Sequence, residues 1–395
     1  MRIEFLRIKN YRCLQRIKIK NLPAFCVLIG ANGTGKSTFF DIFGFLQDSL
    51  KNNVRQALLA RGGFKEVVTR GHENEDIEFE IKFRMKILEK VRLVTYLLTI
   101  SQVNNRPVVK REILRYKRGS HGSPFHFLDF QYGQGYAILN EEDFDKPDEE
   151  LQREEQTLES KDILAIKGLG QFKRFKAASA FRLLIENWHV SDFHITDARG
   201  NKDAGYAEHL SKNGDNLPLV AQYLHENHQE IFETILDKMK HRVPGISQVE
   251  AKNTEDGRLI LRFQDSSFKD PFIDRYVSDG TIKMFAYLVL LYDPDPHPLL
   301  SVEEPENQLY PSLLAELAEE FAAYTKKEGQ VFVTTHSPDF LNAVDLENIY
   351  WLEKKRGITT IHAAADNEVL KSLIDEGDLP GYLWKQGLFG KANPQ

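Results

Sequence analysis

Gly30-Ala31-Asn32-Gly33-Thr34-Gly35-Lys36-Ser37 sets glycines, a lysine and a hydroxyl at the spacing G-x-x-x-x-G-K-[ST], with Thr38 beside them. Glycines at these places let the backbone curl until consecutive N–H groups point inward at phosphate oxygens. A helix opening at Lys36 would add the favourable potential of its N-terminus for an anion. Lys36 supplies a point charge for the outer phosphates, and the Ser37 hydroxyl is a ligand for Mg²⁺. The chemistry on offer is capture of a nucleoside triphosphate, ATP above all.

Further stretches extend that chemistry. Leu299-Leu300-Ser301-Val302 is a short apolar run that ends in Glu303-Glu304 and continues as Pro305-Glu306-Asn307. A buried strand delivers carboxylates to the sheet edge where ligands bind in open α/β folds. Neighbouring side chains on a strand point opposite ways, so the two acids can divide the work. Glu303 is read as the Mg²⁺ ligand, and Glu304 as the group that orients and deprotonates an attacking water. Val333-Thr334-Thr335-His336-Ser337-Pro338 leaves a second apolar run, and His336 there can donate to a γ-phosphate and report its presence. Ser278-Asp279-Gly280 opens an apolar helix over 282–292. Ser278 suits a helix cap, or the triplet forms a second phosphate clamp. One chain already has a clamp at Gly30–Thr38, so a second makes sense if offered to the nucleotide of another copy.

The elements that must place these groups can be read from periodicity. Residues 1–30 read as strands, ending in the continuous run Phe25–Ile29, and residues 37–50 carry a broad apolar helical face. Ile77, Phe79, Ile81 and Phe83 alternate as a strand should, and Val91–Ile100 and Ile113–Tyr116 read as further strands. Residues 141–161 read as an exposed acidic connection. Helices are expected within 162–187 and 217–241. After Pro271, apolar strands alternate with helices, which is the signature of a parallel sheet. The expected division is 1–83 and 271–395 as two halves of one α/β head, with a β-rich and helical lobe, 84–270, inserted between them. No internal repeat or sustained heptad run is found.

Composition narrows the partners. A formal net charge of −6 over 395 residues lacks the basic excess of a protein that coats nucleic acid. Lys167, Lys173, Arg174, Lys176 and Arg182 form a local basic cluster, read first as a solvated helix face. Two cysteines, Cys13 and Cys26, make no disulfide framework and read as buried thiols in strands. The N-terminus shows no signal segment. The longest apolar run, Met284–Tyr292, is far short of the roughly 20 residues that span a bilayer. The expectation is a cytoplasmic protein with no membrane partner. Asp293-Pro294-Asp295 reads as a solvated turn.

Glycine loop, Ser-Asp-Gly, Glu-Glu-Pro-Glu-Asn and Thr-His-Ser-Pro, in that order, resemble the ABC-type P-loop ATPases of the RecF, SMC and OLD class. Ile8-Lys9-Asn10-Tyr11-Arg12 is similar to their N-terminus, and Trp188–Arg199 and Gly214-Asp215-Asn216-Leu217 match more loosely. The resemblance runs over about residues 1–345. It implies Gly30–Thr38 as Walker A, with Arg12 close to the nucleotide. It implies Ser278, Asp279 and Gly280 as signature, Glu303 and Glu304 as Walker B and base, and His336 as switch. Glu303 stands where most such ATPases have Asp, and the signature reads Ser-Asp-Gly-Thr. Gln102 and Gln131 are candidates for the Q-loop. The same resemblance implies ATP and Mg²⁺ as cofactors and a head-to-tail dimer, with higher assembly open. Its stand-alone members suggest a sensor ATPase of bacterial anti-phage defence with a separate nuclease or toxin as effector. A RecF-like DNA repair ATPase is the alternative, a transporter's nucleotide-binding subunit is the third reading, and a scaffold using ATP as glue stays open.

Overall fold

The computed structural model describes residues 2–87, 90–117, 124–139, 150–191, 193, 198–199, 202–203, 205–327 and 329–390. The acidic stretch expected at 141–161 lies partly outside them, as does the Trp188–Arg199 match. Two compact units form: Met1–Trp188 with Leu346–Asp375 and Gly387–Gln395, and His189–Asp345 with Glu376–Gln386.

The first unit opens with β1 (Arg2–Tyr11), β2 (Leu14–Lys20) and β3 (Phe25–Ile29), then α1 (Lys36–Lys51), α2 (Val54–Leu59) and α3 (Phe64–Val67). Strands β4 (Ile77–Ile87), β5 (Lys90–Val103), β6 (Arg106–Tyr116), β7 (Phe125–Gln131), β8 (Gln134–Ile138) and β9 (Arg153–Thr157) follow, then α4 (Ala165–Leu169) and α5 (Lys176–Glu186). Eight strands form one antiparallel sheet in the order β2-β1-β4-β5-β6-β7-β8-β9. Period-two patterning drives it: Ile77, Phe79, Ile81, Phe83, Met85 and Ile87 of β4 are all buried. The apolar face of α5 covers this sheet, with Phe181 stacked on Phe83 at 4.7 Å between ring centroids. The expected boundary at 83/84 falls inside β4, whose pairing with β5 runs unbroken from Ile77 to Ile87. Gln102 and Gln131 lie on β5 and β7 of this sheet.

The second unit holds β10 (His189–Ser191), β11 (Lys202–Asp203), α6 (Leu217–Asn227), α7 (Gln229–Arg242), β12 (Ile246–Asn253), β13 (Arg258–Asp265) and β14 (Phe272–Ile273). Then come α8 (Asp279–Leu291), β15 (Leu299–Glu303), α9 (Ser312–Lys327), β16 (Gln330–Thr334) and α10 (Pro338–Leu341). Strand β15 runs parallel to both β10 and β16, as the strand–helix alternation after Pro271 predicts. Every residue of α8 from Thr281 to Leu291 is buried, because its sequence is apolar around the helix apart from Thr281 and Lys283. The chain then returns to the first unit with β17 (Ile349–Lys355), parallel to β3, and β18 (Ile358–Ala363), antiparallel to β17. After α11 (Glu368–Asp375), α12 (Pro380–Lys385) packs on α10 within the second unit.

Cys26 lies fully buried on β3, and burial pushes its thiol up. Cys13, expected in a strand, is a partly exposed turn residue. Tyr11 pairs with Leu14, so Arg12 and Cys13 are the two-residue hairpin turn, and Arg12 takes a left-handed φ of 48°. The basic cluster is solvent-facing but not one helix face: Lys173, Arg174 and Lys176 are exposed, Lys167 lies on α4, and Lys176 and Arg182 lie on α5. Lys167 donates to the Lys51 and Asn52 carbonyls at the end of α1, Arg174 pairs with Glu154, and Arg182 donates to the Gly170 carbonyl. Among the described residues no helix is long and apolar enough to cross a membrane.

Candidate functional site

In the first unit the glycine loop joins the fully buried β3 to α1. Gly35 caps α1 in a left-handed conformation, φ 107°, and a Cβ there would stand 2.7 Å from Cys13 Sγ. The loop must therefore have glycine at this point. Its first helical turn carries no acid, so nothing opposes an anion at the helix N-terminus. Thr359 of β18 donates its hydroxyl proton to the Thr34 carbonyl at 2.6 Å and anchors the loop from outside. Lys36 Nζ donates to the Gly30 and Ala31 carbonyls, at 2.8 and 3.2 Å, and so lies folded along the loop itself. Arg12 pairs with Asp41 of α1 at 3.3 Å, and Asp41 also accepts from Tyr11 Oη and Arg61 Nε, each at 2.7 Å. Arg12 and Thr38 line one cavity with Arg70, Lys354 and Arg356, a basic recess beside the loop. A phosphate cradle flanked by cations is what this arrangement can provide.

The second unit gathers the acids and the histidine. Strands β15 and β16 are paired in register to Glu303–Thr334, and both site segments begin at their C-terminal exits. Glu304 turns out of β15 with φ 42°, its N–H donating to the Thr334 carbonyl at 2.9 Å. That left-handed turn swings its carboxylate toward His336, with Oε1 3.2 Å from Nε2. Asn307 Nδ2 donates to the other oxygen at 3.2 Å, and Glu306 accepts from the His336 N–H at 2.6 Å. Both acid and imidazole are about a third exposed. A carboxylate set 3.2 Å from an imidazole at a strand exit can take and pass a proton.

Ser278 caps α8 and accepts from the Thr281 N–H at 3.2 Å, so the cap reading holds. Its face is nevertheless open. Ser278, Asp279 and Gly280 line a cavity of about 710 Å³ with Gln308, Tyr310 and Arg242. A Cβ on Gly280 would meet the Gln308 carbonyl at 2.8 Å. Arg199 clamps the turn before α8, donating to the Val277 carbonyl at 2.7 Å and pairing with Asp279.

Sequence reading missed Lys283 and Glu306. Lys283 Nζ donates to the Asn307 carbonyl at 2.8 Å, tying α8 to the turn that carries Glu304. Burial pulls its ammonium down to about 8, against the pull of Glu306 and Glu304. The available signal was a single lysine inside an otherwise apolar helix. The solvated turn expected at Asp293 is also corrected. Asp293 is buried, 3% exposed at the side chain, and bonded to His209 Nδ1 at 2.8 Å.

A glycine loop between a buried strand and a helix, with acids and a histidine at parallel strand exits, is the pattern of a P-loop ATPase. The chain belongs to the family described as "AAA domain, putative AbiEii toxin, Type IV TA system", matched over residues 25–342. Among solved structures it resembles the SmcHead bound to the C-winged helix domain of ScpA. That match has TM-score 0.57 and 13% identity, over 92% of this chain and 98% of that one. It also resembles the Smc head domain with an extended coiled coil bound to the C-terminal domain of ScpA, from Pyrococcus furiosus. There the TM-score is 0.51 and the identity 12%, over 95% and 99% of the two chains. At such identity the likeness is one of fold. No match is found among the curated proteins.

Proposed function

We propose that this chain binds ATP in the Gly30–Thr38 loop, hydrolyses it, and uses the γ-phosphate to hold two copies together. The observation that carries the reading is the Glu304–His336 pair, 3.2 Å apart at neighbouring strand exits. Glu304 takes the proton of the attacking water, and His336 shares that proton and senses the phosphate. Ser37 and Glu303 offer hard oxygen donors of the kind Mg²⁺ takes, and the ion would neutralise charge on the phosphate oxygens. Lys36, now on the loop carbonyls, moves to the phosphates when they arrive.

The second copy enters through Ser278, Asp279 and Gly280. Their cavity is lined on one side by Tyr310, which is 72% exposed. A helix N-terminus of this kind suits the γ-phosphate of a nucleotide held by the partner. Hydrolysis then removes the bridging charge and frees the copies.

The role that fits is a sensor or regulatory ATPase of a bacterial defence system, cytoplasmic, with a separate nuclease or toxin as effector. The family description, with its toxin–antitoxin context, supports that setting. The resembled Smc head structures, each bound to a ScpA domain, support partner docking on such a head. A RecF-like repair role would call for a basic groove. Lys167, Arg174 and Arg182 are instead engaged with local carbonyls and carboxylates.

The test is solution mass by light scattering of the Glu304→Gln protein with and without Mg-ATP. A nucleotide-dependent doubling that Ser278→Arg abolishes is expected. An unchanged monomer with ATP demonstrably bound would overturn the shared site.

A further inference from the structure

We propose that His209, Asp293 and His297 bind a zinc ion at the connection between α8 and β15. Each of the three offers a ligand atom, and these atoms lie within 4.8 Å of one another. Asp293 follows the end of α8, and His297 stands just before β15; prolines at 294 and 296 stiffen the stretch between them. His209 arrives from the distant segment ahead of α6. Nothing but the fold brings the three together.

The chemistry of the donors narrows the metal to a divalent ion that takes nitrogen and oxygen together. Two imidazoles and one carboxylate are the nitrogen and oxygen set that zinc takes, with water left to complete a tetrahedron. Mg²⁺ wants oxygen donors, so this site stands apart from any magnesium at the nucleotide. Asp293 is almost wholly buried, and a buried carboxylate needs a compensating charge. Its Oδ1 accepts from the Asp295 N–H at 2.9 Å, which fixes its orientation and leaves Oδ2 facing His209. The His209 and His297 rings are 5.6 Å apart. Tyr324 Oη donates to the His297 carbonyl at 2.7 Å and holds that residue's backbone in place. Such outer contacts are what orients metal ligands. His189 of β10 adds a further imidazole, its ring 4.9 Å from that of His297. That ring is buried, and its Nε2 has no hydrogen-bond partner among the described residues.

With zinc bonds of about 2 Å, tetrahedral donors stand about 3.3 Å apart, so the His209–Asp293 contact of 2.8 Å opens slightly while donors up to 4.8 Å apart close. His209, with 42% of its side chain exposed, can make that movement and leaves an entry path. The bound ion would staple the connection whose two ends carry chemistry. Upstream, α8 starts at Ser278–Gly280; downstream, β15 ends at Glu303 and Glu304. Zinc would then set the spacing between clamp and acids without touching nucleotide.

The experiment uses the full chain, stripped with chelator and returned to buffer containing excess Mg²⁺. Equilibrium dialysis against Zn²⁺, read by elemental analysis, is expected to give one zinc per chain. Co²⁺ in its place should give the visible absorption of a four-coordinate site. Zn²⁺ should raise the melting temperature of the wild type. His209→Gln, at a half-exposed position, should keep the fold by circular dichroism while weakening zinc binding at least tenfold. It should also lose the thermal shift. Glu304→Gln should bind zinc as the wild type does. Substoichiometric zinc in the wild type, or unchanged affinity in folded His209→Gln, overturns the proposal. Should His209→Gln not fold, the wild-type stoichiometry and cobalt spectrum decide alone. Every readout is independent of ATP hydrolysis, so failure here leaves the nucleotide reading standing.

Discussion

Glu304 owes its position to the backbone. A left-handed φ of 42° on a non-glycine residue costs free energy, and it persists because the N–H is held by the Thr334 carbonyl. That turn is what brings the carboxylate to His336. Substituting Glu304→Gln keeps shape and hydrogen bonding but removes the proton acceptor. We expect phosphate release to fall by about 10²–10⁴-fold while nucleotide binding is kept, measured by a phosphate-release assay beside a fluorescent-nucleotide titration. An unchanged rate would remove Glu304 from the chemistry. Lys36→Ala should do the reverse and lose binding itself, since no other loop residue brings a charge to the phosphates. The placement of the loop after β3 and of the paired acids and His336 at strand exits was legible because each motif is contiguous with its strand. Lys283, Glu306 and Arg199 were not, because each earns its role from a partner distant in sequence or from a backbone turn. Asp293 was misread for the same reason: only the fold puts His209 against it.

Elements with a strong apolar pattern were the legible ones: β4 with its six buried alternate residues, the broad face of α1, the long apolar run of α8. The division into units was harder to read. Nothing in residues 77–138 marks where hydrogen bonding stops, and the strands simply continue the sheet of β1. One polar residue inside that sheet governs a helix. Glu112 of β6 is fully buried and accepts from the Ala165 and Ile166 N–H groups at the start of α4 and from Tyr96 Oη. Burial pushes its carboxyl up to about 7, with those donors pulling the other way. A raised folded value means the stability it confers is full below its ordinary value of 4.5 and is lost as pH rises through 7. That loss amounts to about 3 kcal/mol. In urea unfolding from pH 5 to 8, the advantage of the wild type over Glu112→Gln should shrink by that order. A constant difference would mean the carboxylate stays ionised on its donors throughout. The tail offers a second test at this scale. Gly381 of α12 donates its N–H to Asn342 Oδ1, and a Cβ there would lie 1.9 Å from the Pro338 carbonyl. Gly381→Ala should cost about 1–3 kcal/mol in urea unfolding by unseating α12 from α10, the helix that follows His336. An unchanged midpoint would show that α12 contributes nothing to the unit.

For the whole molecule the question is whether one site needs two chains. Lys36 belongs to the loop proposed to hold the phosphates, and Ser278 to the clamp proposed to act on a partner's nucleotide. If both act on the same nucleotide within one chain, Lys36→Ala and Ser278→Arg proteins are inactive alone and stay inactive when mixed. If the clamp acts across a two-fold interface, the mixed dimer contains one dead site and one intact site. The dead site joins the altered loop to the altered clamp; the intact one joins the native loop of one copy to the native clamp of the other. With random exchange about half the dimers are mixed and each keeps one of its two sites, so the mixture should recover about a quarter of the wild-type rate. Recovery should follow the square of protein concentration at low concentration and vanish when the Ser278→Arg protein, which supplies the native loop, also carries Glu304→Gln. Placing Glu304→Gln on the other chain, the one with the altered loop, should leave the recovered rate intact. That asymmetry assigns the base to the same chain as the loop, and a mixture that stays silent would return the clamp to its simpler role as the cap of α8.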